Sequence, residues 1–199
     1  MAKTILDFSE FVHLIHDALE EAGIPYLIGG ALATWAWGEP RTTRDVDLVV
    51  EIRRGAAEPL SRALKNRDIH LPADIILATL NDDRGDLPLN AIHGSSGFKA
   101  DLYLLREGDP FRAEAFRRRI LVDLGPELGE LYLHTPEDLI INKLDCYSLS
   151  QQTKHLRDIA AIVENLGEEL DEVYIQRWAG KKGLQTLWEN LRRRMQDKN

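Results

Sequence analysis

Gly29-Gly30-Ala31-Leu32-Ala33-Thr34-Trp35-Ala36-Trp37-Gly38, and then Arg41-Thr42-Thr43-Arg44-Asp45-Val46-Asp47-Leu48-Val49-Val50, is the stretch that decides the fold. Pro25-Tyr26-Leu27-Ile28 before it reads as a short buried strand, Ala31 to Trp37 as a helix, and the Asp segment as a second strand running to about Ile52. Side chains alternate across a strand, so Asp45 and Asp47 share one face and Val46 points to the other. Two residues at a rise of about 3.3 Å each separate the Cα atoms by roughly 6.6 Å. Carboxylates at that spacing can converge on one hard divalent cation. Left unpaired they repel and raise a pKa. Magnesium suits such a pair, because it takes few carboxylates and keeps positions for water and phosphate oxygens.

Glycines at a strand-to-helix turn let a ligand approach the backbone. A helix N-terminus offers N–H groups and a positive dipole end, which suits phosphate. A phosphate cradle followed by a metal-binding pair is the functional reading. The plain alternative is a tight turn followed by an edge strand with two solvated acids.

Gly-Gly, a short helix, Gly38 and Arg-x-Thr-x-Asp-h-Asp resemble the nucleotidyltransferase superfamily of the DNA polymerase β type. Within it, the chain is most similar to toxin and antitoxin nucleotidyltransferases (the AbiEii and MenT groups and related uncharacterised proteins), and antibiotic nucleotidyltransferases open similarly. The motif residues are Gly29, Gly30, Arg41, Thr43, Asp45 and Asp47. The resemblance implies an α/β (α+β) fold, with a mixed β-sheet, flanking helices and a C-terminal helical bundle. It also implies a third catalytic aspartate. Lys99-Ala100-Asp101-Leu102-Tyr103-Leu104-Leu105 supplies one, with Asp101 on the face opposite Ala100, Leu102 and Leu104. Its implied role is to bind a second metal ion and accept the attacking hydroxyl's proton. Asp74, Asp86 and Asp123 lack that strand context. Thr135-Pro136-Glu137-Asp138 and the following Lys143 resemble the family's lysine-bearing helix start, which implies a triphosphate contact for Lys143. His155-Leu156-Arg157-Asp158-Ile159 resembles its Arg-Asp-Ile element, in which Asp158 holds Lys143 or balances local charge.

The 199 residues suffice for one good core or two small ones. Hydrophobic content of 44% and charged content of 29% are those of a soluble globular protein. There is no apolar run of membrane length and no signal-peptide core near Met1, and one cysteine, Cys146, excludes an internal disulfide. The expected location is the cytoplasm, and Cys146 reads as a core thiol. A net charge of -8 argues against nucleic-acid binding over the whole surface. Arg177, Lys181-Lys182 and Arg192-Arg193-Arg194 could form a local basic face, or simply complement helix ends. His13, His16, His70, His93, His134 and His155 show no zinc spacing with cysteine, so surface or core roles are expected of them.

Phe8 to Ala22 has the period of an amphipathic helix, ended by Gly23. Ala56 to Asn66 reads as a helix, and Asn81-Asp82-Asp83-Arg84-Gly85 as a turn. Leu87 to His93 and Phe98 to Leu105 read as strands joined by Gly94-Ser95-Ser96-Gly97. A helix over Phe111 to Arg119 precedes two short strands at Ile120–Leu124 and Leu131–His134. From Thr135, as N-cap, the chain reads as helices broken near Ser148–Gln152, at Gly167 and at Gly180. The expected domains are 1–134, a nucleotidyltransferase α/β domain, and 135–199, a helical domain.

The implied reaction moves a nucleoside monophosphate from a nucleoside triphosphate to an acceptor hydroxyl. Two magnesium ions, or manganese, would be held by Asp45, Asp47 and Asp101. Gly29 and Gly30 would hold the β and γ phosphates. Arg41, Arg44 and Lys143 would offset phosphate charge, with Thr43 orienting the loop. The absence of G-x-x-x-x-G-K-[ST] argues against a P-loop enzyme. Three acceptor readings stand: a tRNA 3′ end in a toxin–antitoxin system with a cognate partner, a protein or small-molecule hydroxyl, or none in a catalytically silent nucleotide-binding module. A cleft between the two parts is expected, with Lys143 facing Gly29-Gly30 and Asp45. As a surface residue, Lys143 would contribute little to stability.

Overall fold

The computed structural model describes residues 6–82 and 87–196. The expected turn at 81–85 lies partly outside these residues. Asp86 and the first five positions of the N-terminal reading lie outside them altogether.

A capping box opens the first helix, α1 (Phe8–Glu21): the Asp7 side chain accepts from the Glu10 N–H, and the Glu10 side chain accepts from the Asp7 N–H. Its apolar face buries Phe11, Val12, Ile15, Ala18 and Leu19. Next come β1 (Tyr26–Ile28), α2 (Gly30–Trp37) and β2 (Asp45–Val50), then α3 (Ala57–Lys65), β3 (Ile69–His70) and α4 (Ala73–Leu80). A hairpin follows, β4 (Leu89–His93) and β5 (Lys99–Leu104), then α5 (Pro110–Arg118), β6 (Ile120–Asp123) and β7 (Glu130–Leu133). The rest is helical: α6 (Pro136–Ser150), α7 (Lys154–Leu166), α8 (Glu172–Lys181) and α9 (Gln185–Gln196).

The seven strands form one mixed sheet in the order β3-β4-β5-β2-β1-β7-β6. β2 is central, parallel to β5 and antiparallel to β1, so the edge-strand alternative for the Asp segment is excluded. Alternation then divides the sheet's two faces. Val46, Leu48 and Val50, with Ala100, Leu102 and Leu104, pack into a core with residues of α1 and α3. Leu27 and Val49 face a second core built from α5 through α8 and Trp188 of α9. Asp45, Asp47 and Asp101 share the parity of Val49 and so belong to the helix-covered face.

Thr135 caps α6, its side chain accepting from the Asp138 N–H, and Pro136 takes the first helical position. Two details depart from the sequence reading. β3 and α4 were not anticipated, because Ala73–Leu80 is apolar on nearly every side and carries no clear period. The last break is also displaced. α8 runs through Gly180 to Lys181, and the chain turns at Gly183 in the left-handed region, φ 71°.

Candidate active site

Parallel pairing sets Asp45 opposite Lys99 and Asp47 opposite Asp101. Four charged groups therefore line one face of two central strands. Asp101 is 8% exposed and accepts from two neighbours, Asn90 Nδ2 at 2.6 Å and Lys99 Nζ at 2.8 Å. The Asp101 carboxylate raises the Lys99 pKa, chiefly through that hydrogen bond. Among the described residues, no side chain donates to the carboxylates of Asp45 and Asp47. Burial pushes the Asp47 pKa up, and the negative charges of Asp101 and Asp45 push it further.

The turn before α2 has a specific steric demand. Gly30 has φ +60°, and a Cβ there would lie 1.8 Å from Asp47 Oδ2. Its missing side chain thus makes room for a carboxylate of this chain, a role the sequence reading assigned to an approaching ligand. A Cβ at Gly29 would meet the His134 ring at 3.1 Å. The Gly29 N–H donates to the Asp47 carbonyl at 2.9 Å, which ties the turn to β2. Among the described residues no side chain caps the N-terminus of α2, which leaves its dipole end open to a ligand.

His134, expected in a surface or core role, is a core histidine packed beneath this turn. It is 2% exposed. Its Nε2 lies 3.0 Å from Asn142 Nδ2, and its Nδ1 is buried without a partner among the described residues. Burial lowers its pKa to about 3, with the Arg112 and Lys143 charges adding to the effect.

The opposite wall comes from α6 and α7. Lys143 is 4% exposed and Asp158 5%. Lys143 Nζ donates to Asp158 Oδ2 at 2.5 Å and lies 3.4 Å from the Gly30 carbonyl. Arg41 Nε donates to the other Asp158 oxygen at 3.3 Å. Burial pulls the Lys143 pKa down, and Asp158 pulls it back up. The expected contact of Lys143 with the glycine turn is present. Its expected surface position is not, because α6 is buried along the turn that carries Lys143 and Leu144.

Between the walls lies a cleft of about 450 Å³. It brings together Gly29, Gly30, Arg41, Thr43, Asp45, Asp47 and Lys143. Asp158 lies buried behind Lys143, and Asp101 beside Asp47. Arg44 is turned away: its Nη2 donates to the Ser96 carbonyl at 3.2 Å, and its guanidinium lies over the Phe98 ring. The reason is parity, since Arg44 alternates with Thr43 and Asp45. The Thr43 hydroxyl bonds locally, donating to the Asp45 carbonyl at 3.0 Å. Cleft residues that the sequence did not single out include Tyr103, Arg112, Asn142 and Lys154, and Lys182, read as part of a basic face, lines the cleft as well. Cys146, expected in the core, is exposed and lines this cleft, because it falls on the open side of α6, away from Leu139 and Leu144.

No protein-family model matches the chain, and no curated protein is similar to it in sequence. Solved structures do resemble it. The solution structure of the antibiotic-resistance factor ANT(2'')-Ia superposes with a TM-score of 0.61 at 18% identity, over 92% of this chain and 96% of that one. The crystal structure of ANT(2'')-Ia in complex with adenylyl-2''-tobramycin gives 0.60 at 18% identity, over 87% and 98%. An antigenic nucleotidyltransferase-like protein from Paracoccidioides brasiliensis gives 0.51 at 17%, over 92% and 91%. The likeness is one of fold: a mixed seven-stranded sheet with flanking helices, of nucleotidyltransferase type.

Proposed function

We propose that this chain is a divalent-cation-dependent nucleotidyltransferase that moves a nucleoside monophosphate from a nucleoside triphosphate to an acceptor hydroxyl, with 1–134 supplying the sheet wall and 135–199 the helical wall. The observation that carries the proposal is the pairing of Asp45 and Asp47, two carboxylates with no donor among the described residues, with the glycine turn and Lys143 in one cleft. Leaving such charges uncompensated in a half-buried site costs stability, and a bound cation removes that cost.

The donor set fits a hard cation. Among the described residues no three acidic, histidine or cysteine side chains already converge as a cation site. Two carboxylates completed by substrate phosphates are, however, the arrangement magnesium takes. Asp45 and Asp47 would hold it, and when bound it supplies positive charge to the phosphate oxygens. The Gly30 N–H binds phosphate at the start of α2, while the Gly29 N–H holds the turn to the Asp47 carbonyl, and Lys143 and Arg41 add charge from across the cleft. The acceptor oxygen attacks the α-phosphorus. The bond to the β-phosphate oxygen breaks, and pyrophosphate leaves with the electron pair. Asp101 takes the hydroxyl proton, held in place by Asn90.

For the acceptor we favour a small molecule over the 3′ end of a tRNA. The net charge of -8 disfavours a polyanion. The cleft volume is that of a small-molecule site, and one fold neighbour is complexed with an adenylylated antibiotic. The test is incubation with each labelled triphosphate, magnesium and, separately, an aminoglycoside panel, tRNA and cell lysate. Label in the small-molecule arm supports the assignment. Label only in tRNA would point instead to the toxin-type reading, with its cognate partner. No transfer in any arm, with triphosphate binding intact, would indicate a silent binding module.

A further inference from the structure

We infer that the Lys99 ammonium is a permanent cation of the catalytic face, taking over the charge a second divalent ion would bring, so that this chain works with a single divalent ion. The inference rests on the transferase reading above and specifies its cation requirement. It starts from position. Lys99 is two residues before Asp101 on β5 and directly opposite Asp45 on β2, so its side chain rises from the same face as all three carboxylates. Its Nζ is 2.8 Å from Asp101 Oδ2, and the other Asp101 oxygen accepts from Asn90 at 2.6 Å.

Charge counting agrees. Three carboxylates share this face. Lys143, across the cleft, is hydrogen-bonded to Asp158 at 2.5 Å, and Arg41 contacts the same carboxylate, whereas Lys99 stands on the sheet face itself, opposite Asp45. Lys99 leaves two negative charges, which one divalent ion at Asp45 and Asp47 neutralises. A second ion at Asp101 would meet an ammonium already in place, 2.8 Å from Oδ2. Two-ion sites flank their reacting oxygens with two metals; here the second cation is part of the chain. As an ammonium on a flexible stem, a lysine can fill that role as a point charge. Lys99 acts through Asp101 and is a positioning residue, holding that carboxylate in place through the 2.8 Å hydrogen bond.

The test counts bound manganese by electron paramagnetic resonance, with protein in excess over a non-hydrolysable triphosphate analogue. The wild type should bind one ion per chain with the analogue. Lys99→Met should admit a second, and turnover should change from first to second order in divalent ion. Lys99→Arg, which keeps the charge, should stay at one ion and so separates charge from any disturbance of the strand. Two ions in the wild type, or one ion in Lys99→Met, overturn the inference and leave the transferase reading standing. No manganese bound with the analogue in the wild type defeats both.

Discussion

The two walls of the cleft carry charge in opposite ways. On the sheet wall Asp45 and Asp47 line the cleft with no side-chain donor among the described residues, and Asp101, beside Asp47 in the sheet, is paired with Lys99. On the helical wall Asp158 is shared by Lys143 and Arg41, and Asp158 and Lys143 are buried. A scaffold saturates its buried charges, because an unpaired one costs several kcal/mol. A site leaves charge unsatisfied for a ligand to complete. The sheet wall is therefore the candidate place of chemistry, and the helical wall holds a cation in reach of it.

The largest expected effect breaks the sheet wall. Asp45→Asn combined with Asp47→Asn should abolish magnesium-dependent triphosphate binding in calorimetry and lower turnover by about 10⁴-fold, or roughly 5 kcal/mol of transition-state stabilisation. The thermal midpoint should hold or rise, since the substitution removes like-charge repulsion. Asp101→Asn should cost about 10²–10⁴-fold in turnover and spare most of the binding. Unchanged affinity in the double variant would return Asp45 and Asp47 to solvated acids.

Breaking the helical wall should read out first as stability. Lys143→Ala leaves Asp158 buried with only Arg41 for company and should cost about 3–5 kcal/mol in urea unfolding. Lys143→Met together with Asp158→Leu should recover most of that loss and still bind triphosphate more weakly than monophosphate-sized ligands would suggest. Recovery of triphosphate affinity as well would reduce Lys143 to scaffold.

Between the walls, His134 sharpens the contrast through pH. Its folded pKa of about 3 lies below the ordinary histidine value of 6.5. Below pH 6.5 the unfolded chain binds a proton that the folded chain refuses. Stability should therefore fall with falling pH through the window from 6.5 to 3, by about 1.4 kcal/mol per unit at the steepest. His134→Gln should flatten that slope. Asp47, raised by burial and like charge, acts with the opposite sign: its ionisation costs stability as pH rises above the ordinary carboxylate value.

The smallest effect isolates the turn. Gly23 and Gly30 both have positive φ, but a Cβ at Gly23 meets nothing within 4 Å and one at Gly30 meets Asp47. Gly23→Ala should cost about 1 kcal/mol, from backbone strain alone. Gly30→Ala should cost more, and it should also weaken triphosphate binding by moving Asp47. Equal losses at the two positions would remove the steric role of Gly30.

Local signals were enough for much of this. Alternation placed Asp45 and Asp47 on one face and Asp101 on a matching strand, and the Thr135 cap marked where sheet gives way to helices. Those readings depend on periods of two and on N-cap chemistry, which are written within a few neighbouring residues. The same parity, applied one residue earlier, would have turned Arg44 away from the cleft. The apolar Ala73–Leu80 helix escaped because it lacks a period.

What the tertiary structure decided is which charges meet. The order β5-β2-β1-β7 sets Asp101 beside Asp47, brings Lys99 opposite Asp45, and slides His134 beneath Gly29 across more than a hundred residues of chain. Packing of α6 and α7 turned Lys143 from an expected surface lysine into a buried partner of Asp158. Sequence determines the face on which a side chain stands, because that follows from backbone geometry. Pairing, burial and the resulting electrostatics belong to groups distant in the chain, and only the assembled sheet and its covering helices set their distances.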